Sequence, residues 1–223
     1  MVDFASELST ALNDVLPADL PHRDSVILKS AQHLALIEET NQVLNLTRIT
    51  TPREAAIKHV LDSVIPWRLF LGAKNVLDAG TGAGFPGIPL ALVLPEVQFI
   101  LAESIQKKAR FVESALKALA LPNVTVAAQR AEEILKNQEI DIVTARAFAP
   151  ISKALDLLQG ARLLLYKGPD VEREIAEVRK PRASIKVVMR YDLPDAMGTR
   201  TIVETTGSLQ KHYSPLDTNS RSS

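Results

Sequence analysis

Three glycines at alternate positions, Gly80, Gly82 and Gly84, follow the apolar run NVLDA (75–79) in the stretch DAGTGAGFPGIPLAL (78–92). Glycine at such a turn lets the backbone bend sharply and lets a ligand approach with no Cβ in the way. The spacing G-x-G-x-G is not the dinucleotide pattern G-x-G-x-x-G, because position 85 is Phe85 and the next glycine is Gly87. No Gly-Lys-Ser/Thr follows, so it is not a Walker loop either. Asp78 lies two positions before the first glycine. A carboxylate there repels a pyrophosphate and suits a ligand that carries an ammonium group. Glu103 ends the next apolar run, nineteen residues after Gly84, a distance at which an acid can take the hydroxyls of a ribose. A ribose, a cationic amino-acid end and no required phosphate are the parts of S-adenosylmethionine. The plainer alternative is a tight strand–helix turn with Glu103 as a solvated strand end.

Two further segments reach the same end of the strands. QRAEEI (129–134) follows the third strand candidate; a backbone amide near Ala131 and the side chain of Glu132 could hold an adenine edge, or the segment is simply an acid-rich helix start. DIVTARAFAP (141–150) closes the fourth. Arg146 there can position a carboxylate, a phosphate or guanine O6, or it can serve as a salt-bridge partner for Asp141 or Glu103. The Asn/Asp-Pro-Pro-aromatic tetrad of enzymes that methylate exocyclic amines is missing at this place, and the chain has no cysteine to attack a pyrimidine ring. What remain are acceptors that need little activation. A ring nitrogen such as guanine N7 already presents a lone pair, so proximity, orientation and electrostatics suffice and no general base is required.

The elements that must hold these residues follow from pattern. Seven short β-branched or apolar runs, at 75–79, 97–103, 124–128, 141–146, 162–167, 185–193 and 200–205, alternate with helix candidates at 87–94, 106–120, 150–158 and 169–179. That alternation predicts right-handed crossovers and a mostly parallel sheet. Only the turn PDAMG separates the last two runs, which predicts an antiparallel pair at a sheet edge. The first seventy residues read helical. Ser6 is the expected N-cap of a helix that carries Leu8, Leu12 and Val15 on one face. Val26, Ile27, Ser30, Leu34 and Ile37 share the spacing of a second. Thr51-Pro52 marks the start of a third. The expected organisation is a helical extension over 1–70, an α/β domain over 71–207 and a polar tail over 208–223.

Composition narrows the class. The chain has 223 residues, 46% hydrophobic and 23% charged, enough for a buried core. Without cysteine there are no disulfides or thiolate metal sites, and His22, His33, His59 and His212 show no metal-ligand spacing, so no metal is expected. The N-terminus lacks the basic start and apolar core of a signal peptide, and no run reaches membrane-spanning length; a cytoplasmic protein is expected. Formal net charge is zero, but residues 1–70 carry 6 Lys/Arg against 9 Asp/Glu and residues 161–190 carry 8 against 4. A basic face can therefore coexist with overall neutrality.

Five segments together carry a resemblance: NLTRITTPREAAIKHVLDSV (45–64), VLDAGTGAGFPGIPLAL (76–92), QKKARFVESALKALALPNV (106–124), AEEI (131–134) and TARAFAP (144–150). They resemble the bacterial RsmG family, also called GidB, over about residues 25–205. The resemblance implies a Rossmann-like class I S-adenosylmethionine-dependent methyltransferase: an α/β fold with a mostly parallel seven-stranded sheet and an N-terminal helical extension. It also implies methylation of guanine N7 in the 530 loop of 16S ribosomal RNA. Carried over by position, the cofactor contacts it implies fall on Gly80, Phe85, Ala131, Glu132 and Arg146, beside Asp78 and Gly82 from the loop itself and Glu103 at the ribose position. Asn45, Arg48, His59, Asp62 and Ser63 match a segment that meets RNA or closes over the site; for His59 the alternative is a structural histidine. Many members carry a tryptophan and lysines before NLT and a basic tail, where this chain has Thr40, Asn41, Gln42 and QKHYSPLDTNSRSS. The expected substrate is accordingly 16S rRNA presented by a small-subunit ribosomal particle rather than a naked oligonucleotide. The alternatives are a small-molecule or protein methyltransferase on the same fold, and a non-enzymatic dinucleotide-binding module.

Overall fold

All seven apolar runs become strands of one sheet in the computed structural model, which describes residues 4–49, 51–159, 161–179 and 184–206. They are β1 (Asn75–Ala79), β2 (Gln98–Ala102), β3 (Val124–Ala127), β4 (Ile142–Arg146), β5 (Arg162–Lys167), β6 (Ser184–Asp192) and β7 (Thr199–Thr206), in the order β3-β2-β1-β4-β5-β7-β6. The first five pair in parallel, while β7 runs antiparallel to both β5 and β6. The strand order reverses between β1 and β4, where Asp78 stands opposite Thr144. In open α/β sheets such a switch point opens a crevice at the carboxyl ends of the strands. Here it sets the residues after Ala79 beside those after Arg146.

The period-2 alternation of the strands divides the core. Val76 of β1, Phe99 and Leu101 of β2, and Leu164 and Tyr166 of β5 face one side, together with Leu8, Leu12, Val26, Leu34 and Ile57 of the N-terminal helices. Leu77, Ala79, Val143, Leu163 and Leu165 face the other, against Ile134, Ile151 and Leu155. The first side is covered by α1 (Phe4–Val15), α2 (Arg23–Leu44), a rod made of α3 (Pro52–Ala55), a π-helical segment (Ala56–Leu61) and α4 (Asp62–Val64), then α5 (Gly87–Val93) and α6 (Gln106–Leu119). The second side carries α7 (Ala131–Asn137), α8 (Ile151–Leu157) and α9 (Val171–Ala176).

Thr51 caps the rod as its sequence predicts, accepting from the Glu54 amide at 3.4 Å with Pro52 in the first turn. Ser6 does not cap α1. The helix begins upstream of it, and the Ser6 carbonyl accepts from Thr10 Oγ1 inside the helix. A side chain at Asn41 closes the loop after α2 in both directions, donating to the Thr47 carbonyl and accepting from the Thr47 amide, each at 2.9 Å. No described helix is long and apolar enough to cross a membrane. Residues 180–183, within the basic stretch 161–190, and the tail 208–223 lie outside the described residues.

Candidate functional site

The glycine loop leaves β1 with Gly80 at φ +71°, a backbone conformation that L side chains rarely adopt. A Cβ on Gly80 would come within 3.0 Å of the Phe148 ring, so the glycine is also a point of close approach. Gly87 serves packing instead: a Cβ there would run into Leu101 and come within 2.8 Å of Asp78 Oδ2. Asp78 itself is fully buried beneath the loop. Its Oδ2 accepts from Thr81 Oγ1 at 2.6 Å and from the Gly87 amide at 2.9 Å, stapling the loop to the start of α5. Its Oδ1 is buried with no partner among the described residues. Burial pushes the Asp78 carboxyl up to about 6, against the pull of those two hydrogen bonds.

Glu103, at the end of β2, accepts from the Gly82 amide at 3.1 Å through one oxygen and from the Ile105 amide at 2.8 Å through the other. Both oxygens keep a further lone pair, so the carboxylate is oriented without being exhausted. Beside it opens a cleft of roughly 290 Å³ that brings Gly80, Ala131 and Glu132 together with Ala102, Phe148 and Leu157. Its walls are mixed, with Ser104, Gln129, Arg130 and Lys153 beside the small and apolar side chains; that mixture, the acid on α7 and the backbone approach at Gly80 match an adenosine with an amino-acid tail. The residues present therefore fit S-adenosylmethionine.

A second pocket, of roughly 500 Å³, lies across the end of β4, lined among others by Lys58, His59, Asp62, Arg146, Lys167 and Arg200. The two cavities share one wall. Arg146 and Ala147 line the second and Phe148 lines the first. Ala147 between them has φ +52°, a left-handed conformation that costs a non-glycine residue about 1–2 kcal/mol. Lys167 braces this wall, donating to the Ala149 carbonyl at 2.6 Å and to Glu174 at 2.7 Å. Arg146 donates through Nη1 to the Lys58 carbonyl at 2.8 Å, with Asp62 Oδ2 at 3.3 Å and Ser63 Oγ at 3.5 Å. Its salt-bridge partner is thus Asp62, and neither Asp141 nor Glu103. Asp141 instead accepts from the amides of Lys74 and Asn75.

Phe85 is buried, its ring stacked on His59 at 4.6 Å between centroids and tilted against His33 at 5.0 Å, with the Arg146 guanidinium 5.3 Å from its centre. His59 shares a hydrogen bond of 2.9 Å between Nε2 and Thr47 Oγ1. Burial, then the nearby Arg146, lowers its pKa to about 3; burial takes His33 to about 4. Both rings are therefore neutral at pH 7. Asn45 and Arg48 are exposed in the loop between α2 and the rod. Asp62 and Ser63 are buried. Sequence reasoning missed Phe148, Lys167 and Arg200. The place of Lys167 at the carboxyl end of β5 was a usable signal. Arg200, on an antiparallel edge hairpin, offered none.

Comparisons with known proteins give the family. The family model described as "GidB: rRNA small subunit methyltransferase G" matches residues 27–202. A ribosomal RNA small subunit methyltransferase G from Solibacter usitatus is 61% identical over 210 residues, covering 90% of this chain and 98% of that one. One from Glaesserella parasuis is 33% identical over 191 residues, covering 83% and 93%. A solved structure of a mutant MtNAS in complex with S-adenosylmethionine shares the fold at a TM-score of 0.51 and 15% identity, covering 91% of this chain and 83% of that one. The chain belongs to the rRNA small subunit methyltransferase G family.

Proposed function

We propose that this protein transfers a methyl group from S-adenosylmethionine to N7 of a guanine in the 530 loop of 16S rRNA, acting in the cytoplasm on a small-subunit ribosomal particle. The observation that supports this reading most strongly is adjacency: a cleft lined by Gly80, Ala131 and Glu132 and a pocket lined by Lys58, Asp62, Arg146 and Arg200 meet along residues 146–148 at the end of β4. When bound, S-adenosylmethionine would supply an electrophilic methyl group on a sulfonium centre. The residues of the chain then have three tasks. Gly80, Ala131, Glu132 and Glu103 hold the donor. Asp78 keeps the loop in shape from below. Lys58, Arg146, Lys167 and Arg200 line the second pocket against the carboxylates of Glu54, Glu174 and the shared Asp62, which leaves a small positive excess toward an RNA backbone. N7 needs no base, so the chain has only to hold it in line with the methyl group.

In this reading residues 1–70 form the extension that walls the second pocket, and 71–207 form the transferase domain. Purified protein with methyl-labelled S-adenosylmethionine should label N7-methylguanosine in small-subunit particles. Label confined to metabolites or to protein would replace this reading with a small-molecule or protein methyltransferase.

A further inference from the structure

Asp62 was expected, from its segment, to meet RNA or close over the site. Its place in the structure assigns it another role. Asp62 is 2% exposed and both carboxylate oxygens are engaged. Oδ2 faces Arg146 Nη1 at 3.3 Å. Oδ1 accepts from the Tyr191 hydroxyl at 2.9 Å and lies 3.6 Å from Arg200 Nε. Three parts of the chain that are remote in sequence meet at this one group: the N-terminal rod, the end of β4 and the C-terminal hairpin. Every hydrogen bond from the Arg146 side chain to the described residues runs through Nη1, to Asp62, Ser63 and the Lys58 carbonyl. Its Nε and Nη2 carry no hydrogen bond to the described residues, while the guanidinium rests over Phe85 and lines the pocket. One end of the guanidinium is clamped and the other is presented.

We propose that Asp62 is a positioning residue: a single buried carboxylate, shared by Arg146 and Arg200, that fixes two guanidinium groups relative to each other across the substrate pocket. A planar guanidinium recognises its partner by direction as much as by charge, so a rotated Arg146 keeps its charge and loses its aim. Tyr191 serves the same end by holding Oδ1. The proposal rests on the methyltransferase reading for its effect on turnover, but not for the clamp itself.

Two arms of one experiment separate these. In the first, Asp62→Asn is expected to lower kcat on small-subunit particles at least about tenfold, with S-adenosylmethionine affinity within about twofold of the parent. In an Arg146→Ala background the same change is expected to cost less than about twofold. Tyr191→Phe, which removes no charge, is expected to show a weaker form of the same pattern. Multiplicative losses, an unchanged kcat, or loss confined to cofactor affinity would overturn the proposal. In the second arm, nitrogen NMR of the guanidinium groups should show Arg146 restricted in the parent and mobile in Asp62→Asn; equal restriction in both would overturn it. This arm needs no substrate, so a parent protein that does not methylate rRNA would sink the methyltransferase reading and still leave the clamp to be judged.

Discussion

Phe148 and Gly80 face each other across the switch point of the sheet, the ring lying where a Cβ on the glycine would come within 3.0 Å. Gly80→Val should therefore do two things. A branched residue at φ +71° is strained by about 1–2 kcal/mol, and its side chain meets both Phe148 and the mouth of the cleft. We expect S-adenosylmethionine affinity to fall by more than about 100-fold, roughly 3 kcal/mol, with a folded protein that melts a few degrees lower. Calorimetry with unchanged affinity would remove Gly80 from the site.

Gly87 and Gly82 should behave differently from each other. A Cβ on Gly87 collides with Leu101 beneath the loop, whereas one on Gly82 meets nothing within 4 Å. Gly87→Ala is expected to cost about 1–3 kcal/mol of stability through overpacking. Gly82→Ala should lose only the strain of its positive φ. Denaturant titration of the two variants ranks them, and the reverse order would contradict the loop geometry.

Arg146→Ala should harm turnover far more than folding. The guanidinium is held by neighbours and faces a pocket, and loss of one aimed donor at a reacting site costs about 100-fold or more in rate. A protein that still folds but melts several degrees lower, because Asp62 keeps only Arg200 and Tyr191, beside that larger loss in kcat/KM, is the expected result. Equal damage to both would make the residue structural.

Acid should destabilise the fold earlier than carboxylate titration alone implies. His33 and His59 are held neutral by burial, with pKa values near 4 and 3, while in the unfolded chain they titrate near 6.5. Their contribution is complete above 6.5 and is lost as pH falls below it. Asp78, raised to about 6, works the other way: its burial penalty is relieved as pH falls through 6 toward 4. Between pH 7 and pH 5 the two histidines cost about 4 kcal/mol and Asp78 returns about 1, a net loss of about 2–3 kcal/mol. Thermal melts across that range should show a falling Tm. A flat or rising Tm would mean that the histidines are solvated.

Much of the fold was legible because the central strands are short, apolar and bounded by polar turns: NVLDA, DIVTAR and RLLLYK all form strands where their pattern places them. The edge pair β6–β7 was legible from PDAMG alone. The start of α1 was not, because Ser6 looks like a cap, whereas the helix already includes Phe4, a partly buried side chain packed against the core. The glycine loop announced a ligand, but spacing cannot say which glycine faces it and which packs beneath it. The second pocket was the least legible feature. Asp62, Arg146 and Arg200 are separated by dozens of residues and meet only because β7 returns alongside β5 while the rod covers the first face of the sheet.

The most direct measurement is the modification state of 16S rRNA in a strain that lacks this gene, compared with its parent and with a strain complemented by the Gly80→Val variant. N7-methylguanosine in the 530 loop should be present in the parent, absent from the deletion strain and not restored by the variant. Unchanged N7-methylguanosine in the deletion strain would contradict the assigned reaction.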